Sequence, residues 1–170
     1  MDSDEKPDVT PSLLDGQFSG RSEFTELIRQ AFAMAAGQGW REIMVSDPSF
    51  ADWPLGERAV VQALHDWSSS GRKLTMLAKN YDEIVRQHPR FVTWRRTWSH
   101  IVECRASVTT ATDDLPSALW SPVWVLERRG LERCTGITSS DAARRVALRE
   151  RLNERLHKST LSFPATTLGL

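Results

Sequence analysis

The sequence predicts an α/β domain, a three-layer sandwich around a mainly parallel or mixed sheet of four to five strands. Short apolar runs alternate with segments of helical periodicity, the pattern of strands joined by crossover helices. The chain has 170 residues, a length that suits one domain. No internal repeat or low-complexity segment interrupts the alternation.

Residues 1–20 are expected to be a disordered acidic tail. Met1 to Asp15 holds five acids against one lysine, and little there can be buried. The single α/β domain then spans 21–158. Residues 22–37 read as a helix with Ser22 as its cap. Phe24, Leu27, Ile28, Ala31, Phe32 and Ala35 form one face, and Gly37 and Gly39 supply the stop. Residues 41–46 form an apolar strand ending at Ser46 and Asp47. Residues 56–69 form a second helix, with Val60, Val61, Leu64 and Trp67 inward. Residues 73–78 are a second strand. Asn80 can cap a short helix over 81–87, and Pro89 suits the first turn of another over 90–98. Residues 101–108 alternate as a third strand. After a polar loop at 109–116, residues 119–128 read as a fourth strand and 131–134 as a short fifth. The last helix runs over 139–158, capped by Ser140 or Asp141, with Val146, Arg149, Leu152 and Leu156 on its inner side. Its other face carries Arg144, Arg145, Arg151 and Arg155 with Glu150 and Glu154. Residues 159–170 are expected to be a flexible tail.

The positive charge clusters locally. Overall, 22 basic residues balance 22 acidic ones, so global charge points to neither nucleic acid nor membrane. From His88 to Arg105, however, four arginines and two histidines meet one acid. Ligands of open parallel sheets bind outside the C-terminal ends of the strands. That rule gathers Asp47, Lys79, Arg90 and Arg105 at one rim, with Arg95 and Arg96 nearby. Guanidinium groups there suit phosphate or carboxylate. His88 and His100 are the candidate acid–base groups.

Several function classes are excluded or disfavoured. Cys104 and Cys134 have no zinc spacing and read as reduced core thiols. No glycine-rich phosphate loop, nucleophile elbow or metal spacing occurs, so no cofactor or metal is expected. No apolar run approaches a membrane span, and the acidic N-terminus is no signal peptide, which makes the cytoplasm the expected compartment.

Arg90-Phe91, Arg95-Arg96, Ser99-His100-Ile101 and Arg105, followed by a basic C-terminal helix, resemble a bacterial domain that occurs alone or fused to GNAT-type acetyltransferases. That domain looks like a degenerate half of the phospholipase D-like fold. The resemblance covers about residues 24–158. Active phospholipase D-like enzymes carry His, any residue, Lys, four residues and Asp. Here His88-Pro89-Arg90 is nearest, with Arg for Lys and Arg95 in place of Asp. The resemblance therefore implies the fold and weakens catalysis.

The expected function is a non-catalytic anion- or phosphate-binding domain, using Lys79, Arg90, Arg95, Arg96 and Arg105. Its partner would be a phosphorylated small molecule or a nucleic-acid backbone. One alternative is a phosphodiester or phosphoester hydrolase using His88 or His100. Another is an interaction module, a homodimer or an acetyltransferase partner, anchored by exposed Trp120 and Trp124.

Overall fold

A computed structural model describes residues 12–70, 72–108 and 115–164. The acidic run of 1–11, the loop residues 109–114 and positions 165–170 of the expected tail lie outside the described residues. In chain order the elements are β1 (Gly16–Phe18), α1 (Arg21–Gln38), β2 (Glu42–Ser46), α2 (Arg58–Ser68), β3 (Lys73–Ala78), α3 (Asp82–Gln87) and α4 (Pro89–Thr97). There follow β4 (Val102–Ser107), β5 (Ser117–Trp120), β6 (Val125–Gly130), β7 (Thr135–Ser139), α5 (Ala142–His157) and β8 (Ser159–Leu161).

The strands form one mixed sheet of eight in the order β1-β7-β6-β5-β2-β3-β4-β8. Its centre, β2-β3-β4, is parallel, and every other pairing is antiparallel. The expected four to five strands are too few, for two reasons. The run over 119–128 is a hairpin, because Ser121-Pro122 turns the chain. Ser121 Oγ accepts the Val123 and Trp124 N–H groups at 3.3 and 2.9 Å and donates to the Trp124 carbonyl at 2.7 Å. The two segments expected as tails also contribute edge strands, β1 on β7 and β8 on β4. Three-residue strands carry too little periodicity to stand out in sequence. Residues 131–134 form a turn, not the short strand expected there, and Cys134 ends it in the left-handed region at φ 50°.

Strand alternation sorts the core into two layers. Ile43 and Val45, Leu74, Met76 and Ala78, Val102 and Cys104 face α1–α4. Met44, Ala118, Trp120 and Val125 face α5. Helix α1 buries the face expected of it, from Phe24 to Ala35, and Gly39 closes it at φ 64°. Its first turn begins at Gly20, not at a Ser22 cap. Helix α5 turns the expected side inward at Leu152 and Leu156, but Leu148 takes the place of Val146. Leu148 and Leu152 pack under the sheet, while Val146 is 57% exposed. Arg149 covers the Trp120 ring at 4.5 Å and pairs with Glu42 at 3.1 Å. Trp120 and Trp124 are both buried, so they cannot anchor a second copy. Their indole N–H groups donate to the Arg145 and Leu14 carbonyls at 2.9 and 2.8 Å.

One buried ion pair ties the antiparallel wing to the parallel centre. Arg128 of β6 and Asp47, just past β2, have side chains 2% and 3% exposed and meet at 2.9 Å. Arg128 also donates to Ser117 Oγ at 3.0 Å and to Asp52 at 3.3 Å, and it stacks 4.3 Å over the Phe24 ring of α1. Burial alone would lower its pKa, but Asp47 and the Cys134 thiol outweigh that and the net shift is upward. Asp47 uses its other oxygen to accept the Ser49 and Phe50 N–H groups, shaping the loop that leads to α2.

Two variants test this packing. Arg128→Met leaves Asp47 buried without its cation and should cost about 3–5 kcal/mol in urea unfolding; a loss under about 1 kcal/mol would contradict the arrangement. In Gly136→Ala the new methyl would collide with the Glu127 carbonyl oxygen and stand 2.6 Å from the Phe18 ring. Thermal melting should show destabilisation of at least the 1–3 kcal/mol roughly typical of overpacking.

Candidate anion-binding sites

The residues singled out in the sequence differ in what holds them: Asp47 and Lys79 lie together just past β2 and β3, where the Lys79 N–H donates to the Pro48 carbonyl at 3.0 Å, whereas Arg95 lines a pocket at the other end of the sheet. Asp47 is committed to Arg128. Lys79 is exposed at the end of β3. Arg90 is exposed at the start of α4 and donates to the Gly56 carbonyl at 3.2 Å. Arg96 is exposed on α4, whereas its neighbour Arg95 is buried. Arg105 donates to Ser159 Oγ at 2.7 Å and to the Ser159 carbonyl at 3.0 Å, and it pairs with Glu103 at 3.5 Å. Alternation along β4 places Arg105 on the opposite face from Cys104.

The two histidines are held apart by α4, roughly 14 Å of helix. His88 is buried, with Nε2 at 3.0 Å from the Phe50 carbonyl oxygen. That contact fixes the ring against the loop and engages one of its two nitrogens. His100 is exposed beyond the other end of α4, with its ring 5.7 Å from that of Trp98. Among the described residues, no group of three His, Cys, Asp or Glu could hold a metal ion.

Among the described residues, two cavities combine several cations with a buried guanidinium nitrogen that has no acceptor. The first lies at the N-terminal ends of β3 and β4, opposite the rim that the parallel-sheet rule favours. It is a pocket of about 750 Å³ whose walls include Arg72, Lys73, Arg95 and His100. Arg95 is only 6% exposed. Its Nη2 donates to the Phe163 carbonyl at 3.2 Å, while Nε and Nη1 are buried without an acceptor. An unmet buried donor costs about 1–3 kcal/mol, more when charged. The segment after β8 closes one side: Phe163 stacks on Tyr81 with ring centres 5.1 Å apart, and Tyr81 donates to the Arg105 carbonyl at 2.8 Å. Burial pushes the neighbouring Cys104 thiol up to about 11, against the Arg95 guanidinium that pulls it down.

The second is a groove of about 550 Å³ between the β5–β6 hairpin and the last turns of α5. Arg129, Arg151, Arg155 and Lys158 line it, facing two carboxylates, Glu127 and Glu154. Arg151 binds Glu127, and Lys158 lies 3.9 Å from Glu154. Arg129 is exposed with no hydrogen-bond or ion-pair partner among the described residues, and Arg155 Nη1 is buried with none. On α5 the spacing of Arg151, Arg155 and Lys158 is i, i+4, i+7, which puts all three on one face. Arg151 and Arg155 stood out in the sequence as part of a basic helix face. What the sequence could not show is that Arg129 joins them, since this needs the hairpin.

No protein-family model matches the chain, and no curated protein matches it in sequence. Solved structures do match its fold. The archaeal chromatin protein TrmBL2, described as showing a novel mode of DNA binding, superposes with a TM-score of 0.66 at 13% identity, over 92% of this chain and 57% of that one. Nuc from Salmonella typhimurium, a phospholipase D family member, gives 0.55 at 9% identity, over 86% and 97%. Phosphatidylserine synthase from Haemophilus influenzae gives 0.57 at 12% identity, over 91% and 40%. The chain thus spans little more than half of TrmBL2 and less than half of the synthase. At these identities the likeness concerns architecture, and the architecture is phospholipase D-like.

Proposed function

We propose that this chain is a non-catalytic anion-binding domain that holds the phosphodiester backbone of a nucleic acid along the α5 groove, in a cytoplasmic setting. The observation that carries this reading is the imbalance of charge in the groove. Arg129 is exposed at the groove and Arg155 is half-buried in its wall, and neither has a carboxylate partner among the described residues. Arg151 and Lys158 extend the cationic line, and from Arg151 to Lys158 the helix rises roughly 10 Å. Phosphates of one strand recur about every 3.4 Å along a duplex axis, so the line can meet about three of them. The fold shared with a DNA-binding chromatin protein and with phospholipase D members supports a partner of phosphodiester type. Exposed guanidinium groups attract such a backbone without reading bases, so the expected binding is sequence-tolerant.

Anisotropy of a labelled oligonucleotide duplex tests the proposal. Affinity should fall steeply as salt rises, because phosphate contacts release counterions. Arg129→Ala and Arg155→Ala should each weaken binding to every sequence and flatten the salt slope by about one unit. A salt-independent affinity, or an unchanged slope in the double variant, would reject the groove as the contact.

A further inference from the structure

We infer that the pocket at the N-terminal ends of β3 and β4 is a separate site for a small organic phosphate monoester, with its phosphoryl group on Arg95. The site stands apart from the α5 groove and rests on a different observation. Arg95 is buried to 6% exposure, yet Nε and Nη1 have no acceptor. The one carboxylate lining the pocket, Glu103, is engaged by Arg105 at 3.5 Å. A guanidinium with unmet N–H groups prefers an anion that brings oxygens to them.

The surroundings favour two negative charges over one. Arg72 lines the same pocket, and its Nε is likewise buried without an acceptor. Lys73 and His100 stand exposed at the rim and add further donors. A carboxylate would meet only part of this set, whereas a phosphate monoester carries nearly two charges and three terminal oxygens. The walls also offer an apolar side. Ile101, Leu161 and Pro164 line the pocket, and Leu161 is 72% exposed. An apolar body attached to the phosphate would cover that surface. At about 750 Å³ the pocket has room for such a molecule.

Calorimetric titration of the full chain with phenyl phosphate, inorganic phosphate and acetate tests the assignment. Phenyl phosphate should bind one to one, inorganic phosphate about tenfold more weakly, and acetate more weakly still. Arg95→Gln should weaken phenyl phosphate binding at least tenfold. Because Arg95 also holds the Phe163 carbonyl, that variant could lose structure. Lys73→Ala and His100→Ala alter exposed rim groups, and each should weaken binding about threefold or more without lowering the melting temperature. The paired Arg129→Ala and Arg155→Ala changes should leave phenyl phosphate affinity intact even where they abolish duplex binding. Three results would overturn the site: no heat with phenyl phosphate at millimolar concentration, equal affinities for acetate and phenyl phosphate, or loss of binding in the groove variant with none in the rim variants.

Discussion

The pairing of Arg128 with Asp47 is the interaction on which the rest of the architecture leans. It joins two halves of the sheet that differ in kind, a parallel centre and an antiparallel wing. It also brings in α1 through Phe24, β5 through Ser117, and the loop after β2 through Asp52. Burying charges costs several kcal/mol per ion unless geometry and further hydrogen bonds compensate. Here both side chains have additional partners, so the pair fixes where the wing docks. Once Arg128 is turned inward, alternation along β6 turns Arg129 outward into the groove beside α5. One arginine of the dipeptide shapes the protein and the next is free for a partner.

Most of the central architecture was legible in the sequence, because its signals are long. The apolar stripe of α1, the runs of β2 and β3 and the proline opening α4 each have several residues arguing the same way. The parts that escaped are short or ambiguous. β1 and β8 have three residues each and sit in polar segments. The hairpin at Ser121-Pro122 carried a turn signal, but the apolar residues around it read more simply as one strand. On α5 two stripes that share Leu152 and Leu156 satisfy helical spacing. Contact with Met44, Trp120 and Val125 selects Leu148 and Leu152 and leaves Val146 to solvent.

The candidate sites were less legible, for a physical reason. Sequence shows where cations are abundant but not which of them find partners. In the stretch from His88 to Arg105, Arg105 is taken up by Ser159 and Glu103, and His88 is held by the Phe50 carbonyl. Arg95 differs from both, buried and only partly satisfied, and it lines a pocket at the edge opposite the one the parallel-sheet rule indicates. The cations of the α5 groove come from two segments more than twenty residues apart, and only the folded hairpin brings them together. A buried guanidinium nitrogen without an acceptor, not charge density, distinguishes both places.

The cations of the α5 groove are proposed to meet the phosphodiester backbone. Amide chemical-shift mapping of the isotope-labelled chain during titration with an unlabelled duplex reads this residue by residue. The largest shifts should fall at residues 129–131 and 151–158. Shifts confined to α3 and α4, or none at saturating duplex, would contradict it.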